Sequence, residues 1–213
     1  MNLPNKISLT RIFMIPVFVA LFFLESIAPY NYFISAVLFV VASCTDFIDG
    51  YIARKHNLVT NLGKFLDPIA DKVLVSTAMM LLLTMKNNAF ALLGSASDGV
   101  YVALAVCVCL IMARELIISA FRQIAATNGV VMGAEKLGKY KTACQDVAIF
   151  VLLLAGGFAS LAISASPFEA VPWLDYAKVV MWIGLSLFAV ATVLTVVSGV
   201  SYVVKYKHVL KDE

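Results

Sequence analysis

The sequence predicts an all-α integral membrane protein: a six-transmembrane-helix bundle with a short N-terminal interfacial segment. Three observations predict it. Of 213 residues, 62% are hydrophobic and 14% charged, against roughly 45–50% apolar in soluble domains, and the mean hydropathy is +0.94. Six apolar segments, at about 11–29, 31–53, 64–85, 99–125, 142–164 and 176–204, are each long enough to cross ~30 Å of hydrocarbon as a helix. Lysine and arginine, finally, gather in alternate connections, and so on one side of those segments. No repeat or soluble appendage interrupts the pattern, so residues 1–213 read as a single membrane domain.

The elements follow in order. "MNLPNKISLTR" is the interfacial segment, with Asn5 and Ser8 as caps for it or the next helix, and with Lys6 and Arg11 equally readable as membrane anchors. The run "IFMIPVFVALFFL" has the look of a signal peptide core, but no small-residue cleavage site follows before Pro29, so it reads as a retained first span. The second span ends in "CTDFIDGYIARK" and the third starts near "GKFLDPIADK", with "KHNLVTNLG" as the short loop of a helical hairpin. Pro68 belongs in a first helical turn, so the third helix is expected to begin only shortly before it. The fourth span carries "ARELIISAFR" near its end, the fifth opens with "LGKYKTACQD", and the sixth is plain. Spans must be helices, because lone strands leave backbone groups unpaired in lipid. The four cysteines lie in apolar runs and read as buried, reduced hydrophobes. Trp173, Trp182 and the phenylalanines read as interfacial or lipid-facing packing.

Charge sets the orientation. One side carries Lys6, Arg11, Arg54, Lys55, Lys64, Lys136, Lys139, Lys141, Lys205, Lys207 and Lys211. The other has only Lys86 and Lys178, beside Glu25, Asp98, Glu169 and Asp175. Positive loops stay inside, so both termini face the cytoplasm. The modest net charge of +3 gives no reason to expect a nucleic-acid partner.

Four aspartates interrupt this apolar chain within a short stretch. Asp46 and Asp49 are three apart and Asp67 and Asp71 four apart, so each pair lies on one helical face. The hairpin brings all four to one depth, just inside the membrane. Unpaired, they could not stay ionised there. All-oxygen ligation suits hard divalent ions, so two Mg²⁺ or Mn²⁺ are expected, an arrangement that clamps both sides of a phosphoryl displacement. Gly50 and Gly63 let a ligand approach the backbone, Ala53 continues that smooth surface, and Arg54 offers a fork of donors to a pyrophosphate or base.

The string Asp46-x2-Asp49-Gly50-x2-Ala53-Arg54-x8-Gly63-x3-Asp67-x3-Asp71 resembles the full signature of the CDP-alcohol phosphotransferase family. The resemblance implies a six-span membrane enzyme, a homodimer with a dimetal site, which moves a substituted phosphate from a CDP-linked donor to an alcohol and releases CMP. It implies Asp46, Asp49 and Asp67 as metal ligands. Asp71 becomes the general base, also bordering the second ion. Asp49, Gly50, Ala53, Arg54 and Gly63 become the lining of the CDP-donor pocket, together with Asn5 and Ser8 of the N-terminal Asn-x-x-Ser-x-x-Arg pattern.

A second constellation bears on the acceptor. Arg114 and Arg122 are eight apart, about two turns, and share a face of the fourth span, with Glu115 available to pair with one of them. Lys139 and Lys141, with Thr142 beside them, stand at the entrance of the fifth span; positive-inside anchoring accounts for lysines there equally well. Together Arg114, Arg122, Lys139 and Lys141 suit a pocket for a second phosphate, carried by the acceptor. The blocks "PNKISLTRIFMIP", "TDFIDGYIARK", "NLGKFLDPIADK", "ARELIISAFR" and "LGKYKT" are similar to those of the bacterial branch of the family that uses CDP-diacylglycerol and sn-glycerol 3-phosphate. That implies phosphatidylglycerophosphate as product and the bacterial cytoplasmic (inner) membrane as location, with the active site cytoplasmic. Alternatives are a relative using phosphatidylglycerol, inositol phosphate or serine as acceptor, a divalent-cation transporter whose aspartates form a transport site, or a bundle without activity.

Overall fold

A computed structural model describes residues 3–55, 61–87, 89–127 and 136–206, and the side chains of 9–45, 69–87, 89–123, 125, 138, 140–166 and 171–206. Among these residues there is no strand. The α-helices are α1 (Leu3–Phe23), α2 (Asn31–Lys55), α3 (Asn61–Thr84), α4 (Ser97–Thr127), α5 (Lys136–Ser164) and α6 (Pro167–Tyr206), with short 3₁₀ turns at Glu25–Ile27, Met85–Asn87 and Phe90–Ala96. Among the described residues three stretches are, by length and composition, apolar enough to cross a membrane, Phe90–Gln123, Tyr140–Ser164 and Val171–Tyr206, as suits a multi-pass membrane protein. Leu9–Phe23 and Asn31–Thr45 are shorter apolar helical stretches.

The bundle is apolar on its surface as well as in its core. Val102, Val106, Val193, Val197 and Val200 are all more than half exposed, a distribution suited to hydrocarbon rather than water. Inside, Phe18, Phe39, Leu74, Leu82 and Ile149 are essentially inaccessible, with Ala78, Ala148, Ala155 and Ala159 between them. Small residues set how closely the helices approach. A Cβ on Gly157 would stand 2.7 Å from the Phe33 ring, and one on Gly184 2.8 Å from Leu152. α5 and α6 make the most extensive pairing; α1 packs on α2 and α3, α2 on α5, and α4 on α6. The α1–α2 connection is closed by Asn31, whose Nδ2 donates to the Phe22 carbonyl at 2.9 Å, satisfying one of the open acceptors at the end of α1.

Several boundaries differ from those expected. The segment before residue 11 is continuous with the helix after it, because α1 runs unbroken from Leu3 through Pro16 to Phe23. Asn5 and Ser8 therefore lie within the helix rather than before it. α1 also stops at Phe23 instead of residue 29, where the chain turns through Glu25–Ile27. α3 begins at Asn61, so the α2–α3 connection narrows to residues 56–60 and Pro68 sits two turns into the helix. There it withholds one amide from the Lys64 carbonyl, a loss that membrane helices tolerate when neighbouring groups take up the freed acceptor. α5 starts six residues ahead of the expected 142, which carries Lys139 and Lys141 into helix. The cysteines are free as expected but not buried: Cys44 and Cys109 are exposed on the apolar helix surface.

Candidate active site

α2 and α3 carry the aspartate motif. Both are helical through 46–49 and 67–71, and they pack against one another, so the backbone holds each aspartate pair on a common helical face. The side chains of Asp46, Asp49, Gly50, Ala53, Arg54, Gly63, Asp67, Asn5, Ser8 and Lys139 lie outside the described residues. Asp71 lies within them and is half-buried.

From Asp71 the site can be followed residue by residue. Asp71, Lys72, Ser76, Glu115, Thr142 and Gln145 line a single cleft between α3, α4 and α5, with Val75 and Met79 as its apolar wall. The cleft therefore joins the end of the aspartate motif to the neighbours of the basic set. Lys72 Nζ donates to Ser119 Oγ, and Ser119 Oγ donates in turn to the Glu115 carbonyl one turn earlier on α4. Lys141 is 5% exposed and bonded through Nζ to Glu115 Oε1. The same carboxylate oxygen accepts from Arg114 Nη1 at 3.3 Å. Glu115 thus ties a cation of α4 to one of α5, as two of these groups brought together in a low-dielectric place require.

The arginines are held from the far side by α6. Arg114 Nη2 donates to Ser198 Oγ at 2.7 Å, and its stem rests on Gly199, where an added Cβ would stand 2.9 Å from Arg114 Cγ. Arg122 Nε donates to Tyr202 Oη at 3.2 Å, with its guanidinium carbon 5.3 Å from the same ring's centroid. A satellite cluster of Ile118, Phe121 and Tyr202 fixes that tyrosine. Arg122 itself remains exposed.

Sequence reasoning treated the sixth span as plain, so Ser198, Gly199 and Tyr202 went unnoticed. The signal was "SGVSY", a polar and small-residue patch near the end of an otherwise apolar helix. Lys72, Ser119 and Gln145 were missed as well, since each looks ordinary until its cleft partners are known. Arg11 needs a correction of a different kind. It is 1% exposed and donates through Nε to Thr45 Oγ1 at 3.4 Å. It is therefore a buried link between α1 and the residue preceding Asp46, not a surface anchor.

Residues 1–197 match the CDP-alcohol phosphatidyltransferase family. The chain is similar to proteins named CDP-diacylglycerol–glycerol-3-phosphate 3-phosphatidyltransferase from several bacteria. That of Bacillus subtilis is 39% identical, with 99% of this chain and 97% of the relative covered. That of Rickettsia typhi is 37% identical over 94% of each, and that of Escherichia coli K12 is 34% identical over 100% of this chain and 98% of the relative.

Proposed function

Since the chain belongs to the CDP-alcohol phosphatidyltransferase family, we propose that it transfers the phosphatidyl group from CDP-diacylglycerol to sn-glycerol 3-phosphate. The products are phosphatidylglycerophosphate and CMP. The observation that carries this reading is the shared cleft, in which Asp71 of the aspartate motif stands with Glu115, the residue that pairs Arg114 and Lys141. A base and a cationic pocket side by side suit an acceptor with a hydroxyl at one end and a phosphate at the other. The relatives' names point to the same pair of substrates.

The residues fit a divalent metal pair by the chemistry of their donors: four carboxylates, two on each of two packed helices, at spacings of three and four. Asp46, Asp49, Asp67 and Asp71 would hold two Mg²⁺ or Mn²⁺, which when bound neutralise charge on the pyrophosphate and the departing CMP. The remaining work falls to the protein. Arg54, Gly50, Ala53 and Gly63 bind the CDP moiety. Arg114, Arg122, Lys139 and Lys141 bind the acceptor phosphate and orient the primary hydroxyl toward Asp71. Asp71 accepts the hydroxyl proton as the oxygen attacks the phosphorus bearing diacylglycerol. One P–O bond forms, the bond to CMP breaks, and CMP leaves with the electron pair. The acyl chains stay in the bilayer.

In this reading all six α-helices span a bacterial cytoplasmic membrane, with both termini and the site on the cytoplasmic side, and the enzyme works as a homodimer. Purified protein in detergent with Mg²⁺, CDP-diacylglycerol and a panel of acceptors tests the function through CMP release. Release with glycerol 3-phosphate, and not with inositol phosphate, serine or phosphatidylglycerol, is expected. Release only with another member of the panel would assign a different acceptor, and no release with any would refute transfer.

A further inference from the structure

Of the polar side chains that line the cleft, Gln145 is a buried one that neither the metal site nor the phosphate pocket uses. It is 4% exposed yet lines the same cleft as Asp71. Its Nε2 donates to Met79 Sδ at 3.5 Å. A thioether is a weak acceptor, so this buried amide has a poor partner where a good one is normally required. Its position on α5 is equally informative. Gln145 lies four residues after Lys141 and three after Thr142, so the three share a face, with Gln145 about 6 Å deeper along the helix than Lys141. Thr142 Oγ1 donates to the Gly138 carbonyl at 3.1 Å, which commits its proton and leaves the oxygen to act as an acceptor.

We infer that Gln145 is the residue that reads the secondary hydroxyl of the acceptor, an inference that rests on the transfer reading above. With the acceptor phosphate beside Lys141 and Arg114 and the primary hydroxyl at Asp71, the carbon between them lies over Thr142 and Gln145. A hydroxyl there accepts from Gln145 Nε2 in place of the Met79 sulfur and donates to Thr142 Oγ1 or Gln145 Oε1. An acceptor without that hydroxyl leaves the amide on its weak sulfur contact. An acceptor of opposite configuration at that carbon points the hydroxyl away from it. Gln145 therefore sets both the requirement for the hydroxyl and the handedness of the acceptor.

The test compares three acceptors in the CMP-release assay: sn-glycerol 3-phosphate, its enantiomer sn-glycerol 1-phosphate, and 3-hydroxypropyl phosphate, which lacks the secondary hydroxyl. The wild type should prefer the first. In Gln145→Leu, kcat/KM for sn-glycerol 3-phosphate should fall roughly 10- to 100-fold, the loss of one buried hydrogen bond, while that for 3-hydroxypropyl phosphate stays unchanged. The two enantiomers should then become nearly equivalent. Should the Leu variant fail to accumulate, Gln145→Met is the substitute, since a flexible thioether packs readily beside Met79. Equal losses on all three acceptors, or unchanged preference ratios, would overturn the role of Gln145 while leaving the transfer reading intact. Failure of the wild type to release CMP with sn-glycerol 3-phosphate would overturn both.

Discussion

The two halves of the site are built in opposite ways. The aspartate half is local: two pairs at spacings of three and four on α2 and α3, helices joined by residues 56–60. The acceptor half is assembled across the chain, with Arg114 and Ser198 84 residues apart, Arg122 and Tyr202 80 apart, and Lys141 and Glu115 26 apart. The aspartates need only helical periodicity to share a face. Arg114 and Lys141, the two cations with little exposure, take partners from other helices, because a desolvated charge without a partner costs several kcal/mol. On the proposed reading, the chemistry sits on a local motif, whereas acceptor choice depends on the packing of α4, α5 and α6.

That contrast can be broken from either side. The largest effect should come from removing divalent metal: EDTA-treated protein should release no CMP, and Mg²⁺ or Mn²⁺ in excess should restore it. Activity that survives exhaustive chelation would remove metal from the aspartate half. Next, Asp71→Asn should lower kcat by about 10²- to 10⁴-fold, the usual contribution of a general base. CDP-diacylglycerol binding should persist in this variant, and equilibrium binding of labelled donor will check it. An intermediate effect is expected of Gly199→Val. Its new side chain would stand where the Arg114 stem lies, so the KM for glycerol 3-phosphate should rise about tenfold, a displacement worth about 1.4 kcal/mol. The donor's KM should not move. Tyr202→Phe should act least: it removes one hydrogen bond to Arg122 but keeps the ring beneath the guanidinium, so a rise in the acceptor's KM of about twofold to fivefold is expected. A loss of kcat with an unchanged KM in either variant would detach α6 from acceptor binding.

The same contrast explains what could be read in the sequence. The all-helical architecture, with helices apolar enough to cross a membrane, was legible because 62% apolar composition admits little else. The aspartate motif was legible because its spacing is a property of one helix at a time. Helix ends were less so: Pro68 pointed to a start near itself, yet α3 begins at Asn61, since tertiary packing outweighs a single breaker. Arg11 resembled an anchor because its sequence neighbours give no hint of Thr45, 34 residues away. A pairing of Glu115 with either Arg114 or Arg122 was legible, and the partner is its neighbour Arg114, whereas the bond from Lys141 to the same carboxylate was not legible. Ser198, Gly199 and Tyr202 stayed hidden for the same reason, since a contact across 80 residues leaves no periodic mark on either segment.

The central claim is that acceptor binding and chemistry reside in separable halves that meet at one cleft. Arg122→Ala tests it most directly, with kcat and both Michaelis constants measured on the purified enzyme. The account predicts that KM for glycerol 3-phosphate rises about 10- to 100-fold, as loss of a charged hydrogen-bond donor to phosphate implies, while KM for CDP-diacylglycerol and kcat change less than about twofold. An unchanged acceptor KM, or a rise in the donor's KM instead, would contradict it.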